Sequence, residues 1–135
     1  MTSGKLLIMV GVVAMVALAS FLIFTPNKSA STDAIDVTLP DLSPEAERGF
    51  ALYREACAAC HGAKAGGTDA GPPLIHRIYH PGHHADFAFY RAAKNGVRRH
   101  HWQFGNMPPV EGISEADVAK IIRFIRETQK ANGVF

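Results

Sequence analysis

The chain has 135 residues, with 14 Lys and Arg against 12 Asp and Glu, and 47% of it is hydrophobic. A net charge of only +2 argues against a nucleic-acid partner, and the length leaves room for one small domain and an added segment. No Gly-rich phosphate loop, internal repeat or long single-sign run is present.

From the start of the chain, Leu6 to Phe24 is a run of nineteen residues without charge or proline, preceded by Lys5. As a helix at about 1.5 Å per residue it would reach roughly 28 Å, near the apolar thickness of a bilayer. A positive start followed by an apolar run is an export signal. Ala17-Leu18-Ala19 offers small residues to a signal peptidase, yet the run continues through Phe21, Leu22, Ile23 and Phe24, beyond a cleavable core. Residues 1–26 therefore read as an uncleaved, single-pass membrane anchor with its N-terminus inside. The rest of the chain then faces the exported side, the periplasm of an inner membrane or its equivalent. Residues 27–42, rich in Ser, Thr, Asp and Pro, read as a flexible linker, in which only Ile35, Val37 and Leu39 suit ordered packing.

The folded domain is expected over 43–135. About ninety residues bury only a modest core and gain from a large apolar cofactor. Ser43 is a good N-cap and Pro44 suits the first helical position, so a first helix is predicted from Pro44 to near Cys57. Phe50 and Tyr53 share one of its faces. Gly49 in its interior costs stability, for which a close helix contact is the sensible reason. A middle helix is predicted over Asp86–Asn95, ending at Gly96 and offering Phe87, Tyr90 and Ala93 to the core. Ser114 caps a last helix with Asp117 in its first turn. Val118, Ile121, Ile122 and Ile125 form its apolar stripe, Phe124 lies beside them, and Gly133 is its stop. No stretch alternates as a strand does. The domain reads as all-α, with long loops rich in Gly, Pro and His.

Both cysteines lie in Glu55-Ala-Cys-Ala-Ala-Cys-His-Gly62. A zinc site wants four ligands, usually as two separated pairs, and no second pair is present. A thioredoxin-like redox pair needs a βαβ setting, and no strands are visible. Cys-x-x-Cys-His is the spacing of covalent c-type haem attachment. Two thiols on one helical turn, Cys57 and Cys60, reach the two vinyl groups of the porphyrin, and His61 then meets the iron from one face. Of the four methionines, three belong to the apolar N-terminal segment. Met107 alone lies in the domain, in a loop fixed by Gly105, Pro108 and Pro109. It is the candidate sixth ligand. With both axial positions filled, the iron suits electron transfer better than oxygen binding or catalysis.

The domain resembles a class I mono-haem cytochrome c. The matching residues are Gly49-Phe50 and Tyr53 ahead of Cys57-Ala-Ala-Cys60-His61-Gly62, then Gly71-Pro72-Pro73-Leu74, Asn106-Met107-Pro108, and a last helix carrying Phe124. The resemblance implies a fold in which the first and last helices cross, with Gly49, Phe50 and Phe124 in contact and long loops wrapping one haem c. It also implies that the Pro72 carbonyl accepts a hydrogen bond from His61 and so orients the ligand and tunes the iron. Trp102 reads as a core residue whose indole N–H needs a partner if buried; a haem propionate is the expected one. Arg98 and Arg99 read as a solvated face.

Six further histidines gather in two loops, His76, His80, His83 and His84 in one, His100 and His101 in the other. They read as solvated loops with bonds to propionate or backbone. The alternative is a second metal site, since imidazoles suit copper and zinc. The functional expectation is a membrane-anchored one-electron carrier and not an enzyme. It would serve a respiratory complex, a terminal oxidase or a periplasmic oxidoreductase. The alternatives are a copper-binding or redox-sensing haem protein using the histidine loops, and a haem peroxidase, which requires loss of Met107 ligation.

Overall fold

The computed structural model describes residues 33–135. The predicted anchor over 1–26 lies outside these, and among the described residues no helix is long and apolar enough to cross a membrane. Four α-helices are described: α1 (Pro44–Ala56), α2 (Ala58–His61), α3 (Asp86–Asn95) and α4 (Glu115–Ala131), with a single 3-10 turn at Arg77–Tyr79. The described pairing of extended backbone amounts to two isolated bridges, Thr68 with Gly71 and Val97 with Met107.

Local chemistry sets the helix ends. Ser43 is extended, at φ −63° and ψ 157°, and its Oγ accepts from the Ala46 N–H at 3.3 Å. Pro44 occupies a position whose N–H would have no helical partner. At the other end of the domain, Ser114 Oγ accepts from the Asp117 N–H at 3.1 Å and donates to the Asp117 carboxylate at 2.6 Å. That hydroxyl, and after it Lys120, holds the Asp117 carboxyl below its ordinary range.

α1 and α4 cross at Gly49, where an added Cβ would collide with the Lys120 carbonyl. The bare backbone lets the helices approach. Phe124 can then pack on Phe50 and Tyr53, with ring centroids 4.7 and 5.1 Å apart. Tyr53, Phe124 and Ile125 are fully buried there with Ala46. A large side chain buried in this way contributes about 1.5–3 kcal/mol. Glu127 ties the crossing to the start of α1 by accepting from the Ser43 N–H at 2.9 Å and from its hydroxyl at 2.8 Å.

Two expectations are corrected. The flexible linker expected over 27–42 is packed and hydrogen-bonded where it is described, from residue 33. Val37 is 1% exposed in the core. Ala34 and Ile35 donate to the Gly67 and Gly66 carbonyls at 2.8 and 3.1 Å. The Asp33 carboxylate accepts from the Lys64 and Gly66 N–H groups, and Thr38 and Asn132 exchange bonds at 3.0 and 2.7 Å. Val37 and Leu39 pack as their apolar character allows, but the long-range hydrogen bonds of the polar residues around them hold a stretch whose composition otherwise suggests a tether. The second correction concerns α3. Phe87 is 68% exposed, and Phe89 packs against the core in its place, under the Arg126 guanidinium 5.0 Å from its ring centroid. None of the residues of α3 is buried, because its inner face looks onto a cavity.

Candidate functional site

α1 ends one residue before the cysteines. The Cys57 N–H still reaches the Tyr53 carbonyl at 2.8 Å, and the Cys57 carbonyl accepts from Cys60 and His61 at 3.2 and 3.0 Å. Both thiols and the imidazole therefore sit on one tight turn. Tyr53 braces it from below, its buried hydroxyl donating to the Gly62 carbonyl at 2.8 Å. Burial, above all, pushes that phenol far up, so it remains a donor. Thr68 closes the other side by donating to the Cys60 carbonyl at 2.6 Å. Neither cysteine is in a disulfide; Cys57 is half-buried and Cys60 exposed. Burial, and then the neighbouring Cys60, pushes the Cys57 thiol up to about 11.

His61 Nδ1 lies 2.9 Å from the Pro72 carbonyl oxygen. A carbonyl only accepts, so Nδ1 carries the proton and Nε2 keeps the lone pair. Burial lowers the imidazole pKa, against the opposing effect of that hydrogen bond. The ring is thus held neutral and in one tautomer, the form that ligates a metal.

The turn opens on a cavity of about 670 Å³, whose lining includes Cys57, His61, Pro72, Leu74, Trp102 and Met107. Ile121 and Ile122 of α4 and Ala88, Phe89 and Ala92 of α3 make it largely apolar. This volume falls in the range of about 300–1,000 Å³ common for cofactor sites. Met107 is placed by its backbone. Its N–H donates to the Val97 carbonyl at 3.0 Å, and its carbonyl accepts from Val97 at 2.9 Å. Gly96, at φ +72°, lies so close to that carbonyl that a Cβ would collide with it. The structure brings Cys57, Cys60 and His61 together on the turn and sets Met107 in the wall of the same cavity.

Trp102 is half-buried, and its indole Nε1 is a buried donor without a hydrogen-bond partner. Tyr79 is close enough for the indole to lower its phenol pKa, against the larger upward push of burial, yet no bond closes on Nε1. An orphan donor beside an apolar cavity calls for an acceptor that a ligand brings. Arg98 and Arg99 are exposed, as expected.

Two residues that organise the cavity wall do not stand out in the sequence. Gln129, 1% exposed, donates to the Leu74 and Tyr79 carbonyls at 2.9 and 3.0 Å. Arg126 donates to the Tyr79 and His84 carbonyls at 2.7 and 2.5 Å and pairs with Asp86 at 2.8 Å. A signal for Gln129 is nevertheless present. It continues the apolar stripe of α4 four residues after Ile125, where a polar side chain needs a buried partner.

Paired thiols with an adjacent neutral imidazole, a thioether in the wall of the same cavity, an apolar enclosure and an orphan N–H together fit a covalently bound haem. Among protein families, the one described as Cytochrome c matches residues 46–129. No curated protein and no solved structure matches the chain.

Proposed function

The chain belongs to the cytochrome c family and carries covalently attached haem c; on that premise we propose that it is a single-haem electron carrier, membrane-anchored, with its haem domain on the exported side. The observation that carries the reading is the shared cavity: the attachment turn and Met107 line one apolar space. When bound, haem supplies reversible one-electron iron chemistry.

The remaining roles belong to the chain. Cys57 and Cys60 would hold the porphyrin by thioether bonds. His61 and Met107 would ligate the iron, with the Pro72 carbonyl fixing the orientation of His61. Trp102 Nε1 would donate to a propionate. The side chains of α3 and α4 exclude water, which together with a thioether ligand favours the reduced state and raises the potential. Phe87 and Phe104, 68% and 41% exposed, stand on the rim with the exposed guanidinium groups of Arg91, Arg98 and Arg99. An apolar rim set among cations suits an acidic redox partner such as a respiratory complex, an oxidase or a periplasmic oxidoreductase. The run from Leu6 to Phe24 supports the anchor.

The test is the spectrum of the ferrous protein with carbon monoxide. The carrier reading expects no adduct in the wild type and ready binding in Met107→Ala. Binding by the wild type would favour an open, peroxidase-like iron. Replacing residues 1–28 with a cleavable export signal is expected to release a soluble red domain on the exported side; colour retained in membranes would refute the anchor.

A further inference from the structure

We propose that His83, His84 and His101 form a site for one divalent transition-metal ion at the rim of the cavity, separate from the haem iron. Each imidazole brings one nitrogen within 4.8 Å of the other two. His83 Nε2 and His101 Nε2 are 3.3 Å apart. Two nitrogens bound at about 2.0–2.1 Å to a tetrahedral ion lie about 3.4 Å apart. Without a metal, one of this pair must hold a proton and donate to the other; a cation takes the place of that proton.

His84 shows the support that a ligand histidine needs. Its Nδ1 is 2.7 Å from the Ile78 carbonyl. This bond places the proton on Nδ1 and leaves Nε2 as the ligand nitrogen, the arrangement common to metal-bound imidazoles. The backbone there is fixed from α4, since Arg126 donates to the His84 carbonyl at 2.5 Å. Pairing with Asp86 offsets the charge of that guanidinium. His101 comes from the other loop, which the Val97–Met107 bridge closes. Two loops 17 residues apart in sequence thus meet on one site (His84 and His101).

The packing argues against an idle cluster. The His100 and His101 ring centroids are 4.3 Å apart and those of His83 and His84 4.8 Å, with no carboxylate among the groups that meet there. Protonated, these rings would repel one another. Three neutral nitrogens with an exposed side leave a fourth position for water. Such a donor set selects zinc or copper over magnesium or calcium. The proposal does not depend on the electron-carrier reading, since losing this metal would leave the haem and its ligands intact.

The test uses the tag-free, haem-loaded ferric chain, stripped with EDTA and titrated at pH 7.5 with Zn²⁺, with Cu²⁺ and with Mg²⁺. One equivalent of Zn²⁺ or Cu²⁺ is expected to bind, and no Mg²⁺. His83→Asn and His101→Asn, both at exposed positions, are each expected to weaken binding at least about tenfold with the haem absorption spectrum unchanged. The electron paramagnetic resonance spectrum of bound Cu²⁺ is expected to show three nitrogen ligands. Absence of one-to-one binding, affinity unchanged in both variants, or fewer than two nitrogens on wild-type copper would each overturn the site.

Discussion

Around Cys57–His61 the chain supplies its own partners: Tyr53, Thr68, Pro72 and the carbonyls of Cys57 and Ala65 close every turn from α1 to Ile75. Across the cavity, between His76 and Ile113, the same chain leaves α3 without a buried residue, Phe87 and Phe104 exposed, and Trp102 Nε1 without a partner. The first region is held by crossed helices and short-range hydrogen bonds. The second is anchored at few points, chiefly the Val97–Met107 bridge and the contacts of Arg126 and Gln129. The difference shows which wall of the cavity the chain packs by its own contacts and which it leaves open toward the cofactor space.

The largest expected effect comes from the attachment side. Phe124→Ala removes the ring that joins Phe50 and Tyr53 and is expected to cost about 3–5 kcal/mol. Urea unfolding should show it as a global loss. A loss confined to amides of residues 76–113 in native-state hydrogen exchange would break the comparison. Gln129→Leu comes next, because Gln129 bonds both regions. The substitution leaves the Leu74 carbonyl without its side-chain donor and is expected to cost about 1–3 kcal/mol. Exchange should rise most from Leu74 to Tyr79, and equal loss in α1 would count against the division. Ser43→Ala is third, at about 1 kcal/mol for the lost cap. Its effect should shrink in a Glu127→Gln background only to the extent that the Ser43–Glu127 bond matters, which a double-mutant cycle measures.

The contrast also explains what is legible in the sequence. Helix caps are local, so Ser43 and Ser114 mark their helices within a few residues. Gly49 announces the crossing because an interior glycine in a helix has a cost that close approach offsets. The spacing of Cys57, Cys60 and His61 is likewise a one-turn pattern. The supposed linker misleads because composition reports polarity, whereas Asp33 acts through hydrogen bonds to Lys64 and Gly66, more than twenty-five residues away. Phe87 misleads because the pattern of α3 is amphipathic, but the surface the helix faces is cofactor space and not protein. Arg126, Gln129 and the meeting of His84 with His101 depend on how the loops return to α4, which no local pattern records.

The smallest effect probes the joint between the two regions. Asp117 opens α4 directly after the Met107 loop, and Lys120, which pairs with it at 3.1 Å, carries the carbonyl that Gly49 approaches. Its carboxyl is held below the ordinary value of 3.8, first by the Ser114 hydroxyl and then by Lys120. A depressed folded value means that the unfolded chain binds more protons as the pH falls, so stability drops. The contribution is therefore complete above about pH 3.8 and is lost as the pH falls through the folded value. Asp117→Asn should be less stable than the wild type at pH 6, and the gap should close in stronger acid. High salt separates the two causes. Screening weakens the half-buried Lys120 pair, while the short Ser114 hydrogen bond persists, so part of the gap should survive about 1 M salt. A gap that vanishes entirely in salt would assign the effect to the ion pair alone. A gap independent of pH would show that the carboxylate has no role in starting α4.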